Sequence, residues 1–244
     1  MNTLKKIKNK KLTIGGWMQT SSLDNADIIS KSNFDWITID LEHGNISTEK
    51  LKNMCRIIQG NRKIVFARVS SKNPTLIPNI LDTGVDGIII PNIKNSKEVE
   101  EIIELSFYPP LKKRGVGFSR ANNFGKKFKE YLSKSKNLIV IAMIENIEAY
   151  NNLNEILKVK YLDGIFIGPY DLSASMGIVG KFKNRKFLNT IKKIKETALK
   201  KKKICGIHII NDENKELKEK IKEKFNFIAF SMDSVILGNY KKNV

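Results

Sequence analysis

Four short stretches of this 244-residue chain carry residue types that could do chemistry together. The densest is Ile167-Gly-Pro-Tyr-Asp-Leu-Ser-Ala-Ser-Met-Gly177, where an apolar run from Tyr161 to Ile167 stops at Gly168-Pro169 and a single acid, Asp171, follows. Small residues let backbone N–H groups approach a ligand, and a carboxylate beside them can hold a hard cation. The stretch is too rich in Gly, Pro and Ser to read as a plain helix. By itself it is equally a tight turn with Asp171 as a cap. The other three are Asp40-Leu-Glu-His-Gly44, Arg68 after Ile64-Val-Phe-Ala67, and Glu145 after the apolar run Leu138–Ile144.

Short apolar runs alternating with amphipathic stretches must position these residues. Strands are expected over 13–18, 35–40, 63–68, 87–91, 138–144, 164–167, 204–209 and 227–230. Helices are expected between them. One covers 24–31, capped by Ser22 or Asp24; another covers 48–59, capped by Ser47; a third covers 74–83, with Asn73 as cap, Pro74 at the first position and Gly84 as the stop. Others cover 96–105, 147–157, 187–202, 212–224 and 233–240, the stripe Leu188, Ile191, Ile194 and Ala198 marking the buried face of the 187–202 helix. Residues 106–134, with Tyr108-Pro-Pro and Arg114-Gly-Val-Gly117, break the rhythm and read as a long functional loop with a short helix near 125–133. Eight βα units in this length predict an α/β fold, a single-domain (β/α)₈ barrel over 1–244 with a basic N-terminal extension over 1–11. A doubly wound open sheet fits less well, since no Gly-x-Gly-x-x-Gly follows the first strand.

Composition narrows the function classes. Hydrophobic residues make up 41% and charged residues 28% of the chain, ordinary proportions for a soluble protein. No 18-residue apolar run and no secretory signal are present, so no membrane association is expected. The net charge of +19 comes overwhelmingly from dispersed lysines, and with no basic motif interleaved with aromatics it argues against nucleic acid as a partner. Cys55 and Cys205 each sit in an apolar segment and read as buried thiols of a reduced, cytoplasmic protein. With two Cys and two His, a Zn²⁺ site of thiolates and imidazoles is all but excluded.

In such a barrel the chemistry sits at the C-terminal ends of the strands. His43, Arg68, Glu145 and Asp171 fall there, with Asp82 just before strand four. Each also has a structural reading. His43 could be a turn residue, Glu42 a solvated neighbour and Glu145 an acid opening the next helix. A carboxylate such as Asp82 in the last turn of a helix opposes the helix dipole, which points to a specific partner. His208 lies inside an apolar strand and reads as a core histidine with a satisfied nitrogen.

In order along the chain, Asp40-Leu-Glu-His-Gly44, Arg68, Leu81-Asp-Thr-Gly84, Gly87-Ile-Ile-Ile-Pro91, Tyr108-Pro-Pro, Arg114-Gly-Val-Gly117, Ile144-Glu145 and Gly168-Pro-Tyr-Asp-Leu-Ser173 resemble the HpcH/HpaI aldolase / citrate lyase family, most closely its metal-dependent 4-hydroxy-2-oxoheptanedioate and 2-keto-3-deoxyglucarate type aldolases. The resemblance runs from about Gly15 to Asp233. It implies that Glu145 and Asp171 ligate a divalent cation, Mg²⁺ or Mn²⁺ with Co²⁺ as a further candidate. The turn Gly168, Pro169, Tyr170 and Asp171 would bind the substrate carboxylate. Arg68 would stabilise the enolate oxygen, His43 would be the general base, and Asp82 would orient it.

The implied reaction is reversible cleavage of a 4-hydroxy-2-oxo acid to pyruvate and an aldehyde through a pyruvate enolate held at the metal. The partners would be these small molecules and further copies of the chain in a homo-oligomer. The chain departs from the family pattern at Met143, where Gln is common, at Asn146, where Thr is usual, and at Tyr170, where a smaller residue often stands. The alternatives are a lyase of the same superfamily acting on a malyl- or citryl-CoA thioester, and a non-catalytic basic binding protein.

Overall fold

Eight short strands, each turning alternate side chains inward and outward, build the frame: β1 (Thr13–Met18), β2 (Trp36–Asp40), β3 (Ile64–Arg68), β4 (Gly87–Ile90), β5 (Ile139–Ile144), β6 (Gly164–Ile167), β7 (Ile204–Ile209) and β8 (Phe227–Phe230). In the computed structural model, which describes residues 3–70, 73–211 and 214–239, they pair in parallel in chain order, and β8 closes on β1. The fold is the closed (β/α)₈ barrel that the strand count predicts.

The helices are α1 (Thr3–Lys8), α2 (Leu23–Ser30), α3 (Thr48–Gly60), α4 (Ile77–Asp82), α5 (Ser96–Glu104), α6 (Phe128–Ser135), α7 (Ile147–Asn151), α8 (Leu153–Ile156), α9 (Pro169–Ser175), α10 (Arg185–Lys200), α11 (Asn214–Lys222) and α12 (Asp233–Gly238). Ser22 and Ser47 cap α2 and α3 as expected, each accepting a backbone N–H three residues on.

Several segments differ from the sequence reading. The expected 74–83 helix is a 3₁₀ turn, Pro74–Leu76, followed by α4, with Asn73 Oδ1 accepting from the Thr75 N–H. The 147–157 helix is broken into α7 and α8 around Asn152. Gly168-Pro169 does not open an irregular turn but starts α9, because proline's fixed φ and missing N–H suit the first helical position. On α10 Leu188 faces out, half exposed, and the buried stripe is Phe187, Thr190, Ile191, Ile194 and Ala198. The ends of the predicted 212–224 and 233–240 helices lie partly outside the described residues.

Two apolar layers follow from strand alternation. Outward residues such as Ile37, Val65, Ile88 and Ile165 pack under the helices. Inward residues fill the barrel with Trp17, Trp36, Phe66, Phe166 and Phe227, and Trp36 stacks on Phe227 at 4.0 Å. Glycine on a neighbouring strand makes the room. A Cβ on Gly15 would lie 2.1 Å from the Trp36 ring.

The N-terminal segment is more than a charged extension. Helix α1 buries Ile7 against the interior layer, while Lys6 and Lys8 reach Asp35 and Asp163 at 3.2 and 2.9 Å. The bottom rim is clamped four times in one way. The residue before each even-numbered strand, Asp35, Asp86, Asp163 or Asn226, accepts on its side chain the N–H of Ile14, Val65, Val140 or Cys205, respectively. Each returns its own N–H to the carbonyl of that same residue.

Candidate active site

The mouth of the barrel is organised by a buried ion pair. Asp40 ends β2, Arg68 ends β3, and the two are in register. Arg68 Nε donates to Asp40 Oδ1 at 2.9 Å and Nη2 to Oδ2 at 2.5 Å, a two-pronged contact that fixes the guanidinium plane. Trp17 Nε1 donates to Oδ2 at 3.2 Å, and the backbone N–H groups of Glu42 and His43 donate to Oδ1 at 3.0 and 3.2 Å. Burial opposes the charge on Asp40, but the Arg68 hydrogen bond and charge outweigh it and hold the carboxyl below the usual carboxylate range.

Asp40 therefore sets Arg68 and folds the Leu41–Gly44 loop around its own oxygens. That loop brings Glu42 Oε2 to 3.1 Å from Arg68 Nη1 and leaves His43 exposed, its imidazole without a hydrogen bond among the described residues. The sequence reading passed over Asp40 as a functional residue, although it opens the Asp-Leu-Glu-His-Gly stretch at a strand end.

Glu145 is buried just past β5. Its Oε1 accepts the N–H of Asn92 at 2.5 Å, and its Oε2 is buried with no partner. Burial pushes its carboxyl up to about 7, the Asn92 N–H opposes the shift, and Asp171 and Glu42 add repulsion. Asn146 stabilises this corner. Its Oδ1 caps α7 through the Ala149 N–H, and its Nδ2 donates to Asn92 Oδ1 and to the Ile93 carbonyl. Gly168 passes so close that a Cβ there would sit 2.6 Å from Glu145 Oε2. A side chain at this position would push the Glu145 carboxylate aside.

A cavity of about 130 Å³ brings His43, Arg68, Gly168, Pro169, Tyr170 and Asp171 together, with Trp17, Gln19, Met143 and His208 also in its wall. An orphaned, buried carboxylate oxygen beside a second carboxylate is the chemistry of a cation site. Among the described residues no group of three or more His, Cys, Asp and Glu side chains is placed to hold a metal ion. A cation between Glu145 and Asp171 would then have two protein carboxylates and draw its other ligands from water or substrate, as Mg²⁺ and Mn²⁺ commonly do.

Residues 13–239 match the HpcH/HpaI aldolase/citrate lyase family. The chain belongs to this family. It is a carbon–carbon lyase. Among its relatives, the 4-hydroxy-2-oxo-heptane-1,7-dioate aldolase of Escherichia coli is 31% identical over 95% of this chain and 88% of that protein. The hydroxypyruvate/pyruvate aldolase of Roseobacter denitrificans is 29% identical over 100% of this chain and 96% of that protein. The crystal structure of an HpcH/HpaI aldolase from Desulfitobacterium hafniense shares the fold with a TM-score of 0.89 at 23% identity, covering 97% of this chain and 92% of that one.

Asp82 and His208 occupy the elements that the sequence predicts for them, but their surroundings differ from those implied. Asp82 ends α4, where the chain is about to enter β4 from below, so it lies at the opposite end of the barrel from His43. Its Oδ1 accepts from Arg114 Nη2 at 2.5 Å, and Arg114 stacks on Tyr108. A His43–Asp82 pair is not formed within one chain. His208 has the satisfied nitrogen expected of a core residue, with Nε2 3.3 Å from the Ser231 carbonyl oxygen. Strand alternation nevertheless turns its ring inward at the top of β7, where it lines the same cavity as Arg68.

Proposed function

We propose that this lyase reversibly cleaves a 4-hydroxy-2-oxo acid to pyruvate and an aldehyde, using a divalent cation held by Glu145 and Asp171. The observation that carries this reading is the partnerless, buried Oε2 of Glu145, set beside Asp171 and facing the Asp40-fixed guanidinium of Arg68. When bound, Mg²⁺ or Mn²⁺ supplies Lewis-acid polarisation of the 2-oxo group. The first-turn N–H groups of α9, at Tyr170 and Asp171, lie beyond Gly168 and hold the substrate carboxylate.

Arg68 meets the oxygen on which charge develops as the C3–C4 bond breaks. Because Asp40 has already oriented it, little reorganisation accompanies the reaction. His43, at the cavity rim with its imidazole in no hydrogen bond among the described residues, accepts the proton of the 4-hydroxyl as the aldehyde forms. The pyruvate enolate is then protonated at C3. In the reverse direction the same residues make the carbon–carbon bond.

Both cysteines are buried free thiols, which supports a reduced, cytoplasmic setting. Among the described residues no helix is long and apolar enough to cross a membrane. Exposed Ile236 and Leu237 on α12 support a homo-oligomer.

Incubation with pyruvate in D₂O and Mg²⁺ or Mn²⁺ tests the reading. Exchange of the methyl protons, lost with EDTA and in Glu145→Gln, is expected. No exchange with either metal, together with no pyruvate release from any 4-hydroxy-2-oxo acid, would overturn it.

A further inference from the structure

The cavity contains two polar side chains that the reaction above leaves unused, Gln19 and His208. The His208 ring packs 4.7 Å from that of Trp17, whose Nε1 is committed to Asp40. The Ser231 carbonyl beside Nε2 can only accept, so Nε2 carries the hydrogen and a neutral ring presents a lone pair at Nδ1. Nδ1 has no protein partner among the described residues. Burial, with the Arg68 charge adding to it and the Ser231 hydrogen bond opposing it, pushes the imidazole down to about 4, so the ring is neutral at physiological pH.

The carbonyl that fixes this ring is itself held. Ser231 adopts φ +58°, a backbone conformation uncommon outside glycine, and its N–H bonds the Ile209 carbonyl at 2.7 Å. Gln19 is the complement of His208. Its Oε1 accepts from Ser234 Oγ at 2.8 Å, which leaves its amide N–H groups as donors. A free acceptor on His208 and free N–H donors on Gln19 in a cavity this small match a single group that both donates and accepts, a hydroxyl.

The position of His208 says which half of the substrate carries that hydroxyl. With Pro169, Tyr170 and Ile210 it also borders a second cavity of about 360 Å³, walled by Phe182, Phe187 and Ile191. The pyruvate unit belongs at Arg68 and Asp171, so the aldehyde half lies toward His208 and this second cavity.

We propose that His208, paired with Gln19, recognises a hydroxyl on the aldehyde half of the substrate, so that this enzyme selects hydroxylated aldehydes over their deoxy counterparts. The proposal rests on the aldolase reading above. A site built to bond a hydroxyl disfavours the analogue lacking it, because its own polar groups are then left unpaired.

The test compares aldehydes that differ by one hydroxyl, glycolaldehyde with acetaldehyde and glyceraldehyde with propanal, in pyruvate addition catalysed by the full chain with Mg²⁺ or Mn²⁺. The ratio of kcat/KM for hydroxylated over deoxy aldehyde is expected to fall about tenfold in His208→Leu, mainly through KM. It should be restored in His208→Asn, whose amide can donate to Ser231 and accept from the hydroxyl. Gln19→Leu should lower the ratio in the same sense, and it carries the test if His208→Leu does not fold. A ratio within twofold of wild type in folded His208→Leu and Gln19→Leu overturns the proposal. Wild-type exchange of pyruvate methyl protons keeps the two readings apart. Exchange with an unchanged ratio removes only the role of His208, whereas no exchange together with no pyruvate release from any 4-hydroxy-2-oxo acid removes the aldolase reading itself.

Discussion

The two ends of the barrel use the same residue type in opposite ways. At the bottom, Asp35, Asp86 and Asp163 accept strand N–H groups; α1 lysines take up the second oxygens of Asp35 and Asp163, and Gln59 adds a second bond to the Asp86 oxygen that already holds Val65. At the mouth, Asp40 is satisfied in the same manner by Arg68, Trp17 and two backbone N–H groups, but Glu145 keeps one buried oxygen without a partner, and Asp171 stands near it. A carboxylate whose lone pairs are all spent stabilises the fold. One left unsatisfied in the interior costs stability and persists where a ligand completes it. The difference separates structural acids from the candidate catalytic ones without reference to any relative.

The sharpest way to break this comparison is Glu145→Gln, which keeps an acceptor for the Asn92 N–H and removes the charge. Pyruvate proton exchange should fall by about 10³-fold or more, the size expected when a principal electrostatic group is lost. Thermal unfolding of the metal-free variant should occur at the same temperature or higher. A marked drop in Tm would place Glu145 with the structural acids.

A second test is pH. The folded-state carboxyl of Glu145 is raised from 4.5 to about 7. The folded protein therefore binds this proton more tightly than the unfolded chain. The associated stability is fully present below about pH 4.5 and is lost as pH rises toward 7. Urea unfolding of metal-free protein should show a decline on the order of 3 kcal/mol from this group across that window. The decline should be absent in Glu145→Gln.

At the bottom the expectation reverses. Asp163→Ala leaves the Val140 N–H and Lys8 without their carboxylate and should cost about 2 kcal/mol in urea unfolding. Exchange activity per folded molecule should stay near wild type. Smallest of all, Lys8→Ala removes a half-exposed ion pair and a bond to the Leu138 carbonyl, for a loss of about 0.5–1 kcal/mol.

Much of this architecture was legible in the chain. Short apolar runs placed all eight strands within a residue or so, because a strand buried on both faces must be apolar nearly throughout. Serine and asparagine caps marked helix starts because their short oxygens satisfy otherwise unpaired N–H groups. The fourfold bottom clamp was also there to be read, in Phe34-Asp-Trp, Val85-Asp-Gly, Leu162-Asp-Gly and Phe225-Asn-Phe. Each copy by itself looks like an ordinary strand start. Asp82 is a different case. It precedes β4, so chain order alone assigns it to the bottom of the barrel, whereas the family resemblance pairs it with His43.

Sequence alone determined the barrel, the family resemblance and the short list of strand-end residues, since these depend on local periodicity and on motifs a few residues long. Tertiary structure decided what each polar atom does. Asp40 became the group that orients Arg68, Glu145 the carboxylate with an unused oxygen, and His208 a cavity-lining ring with one nitrogen spent on Ser231. Those roles depend on partners 23–53 positions away in the chain, and only closure of the barrel brings such partners within hydrogen-bonding distance.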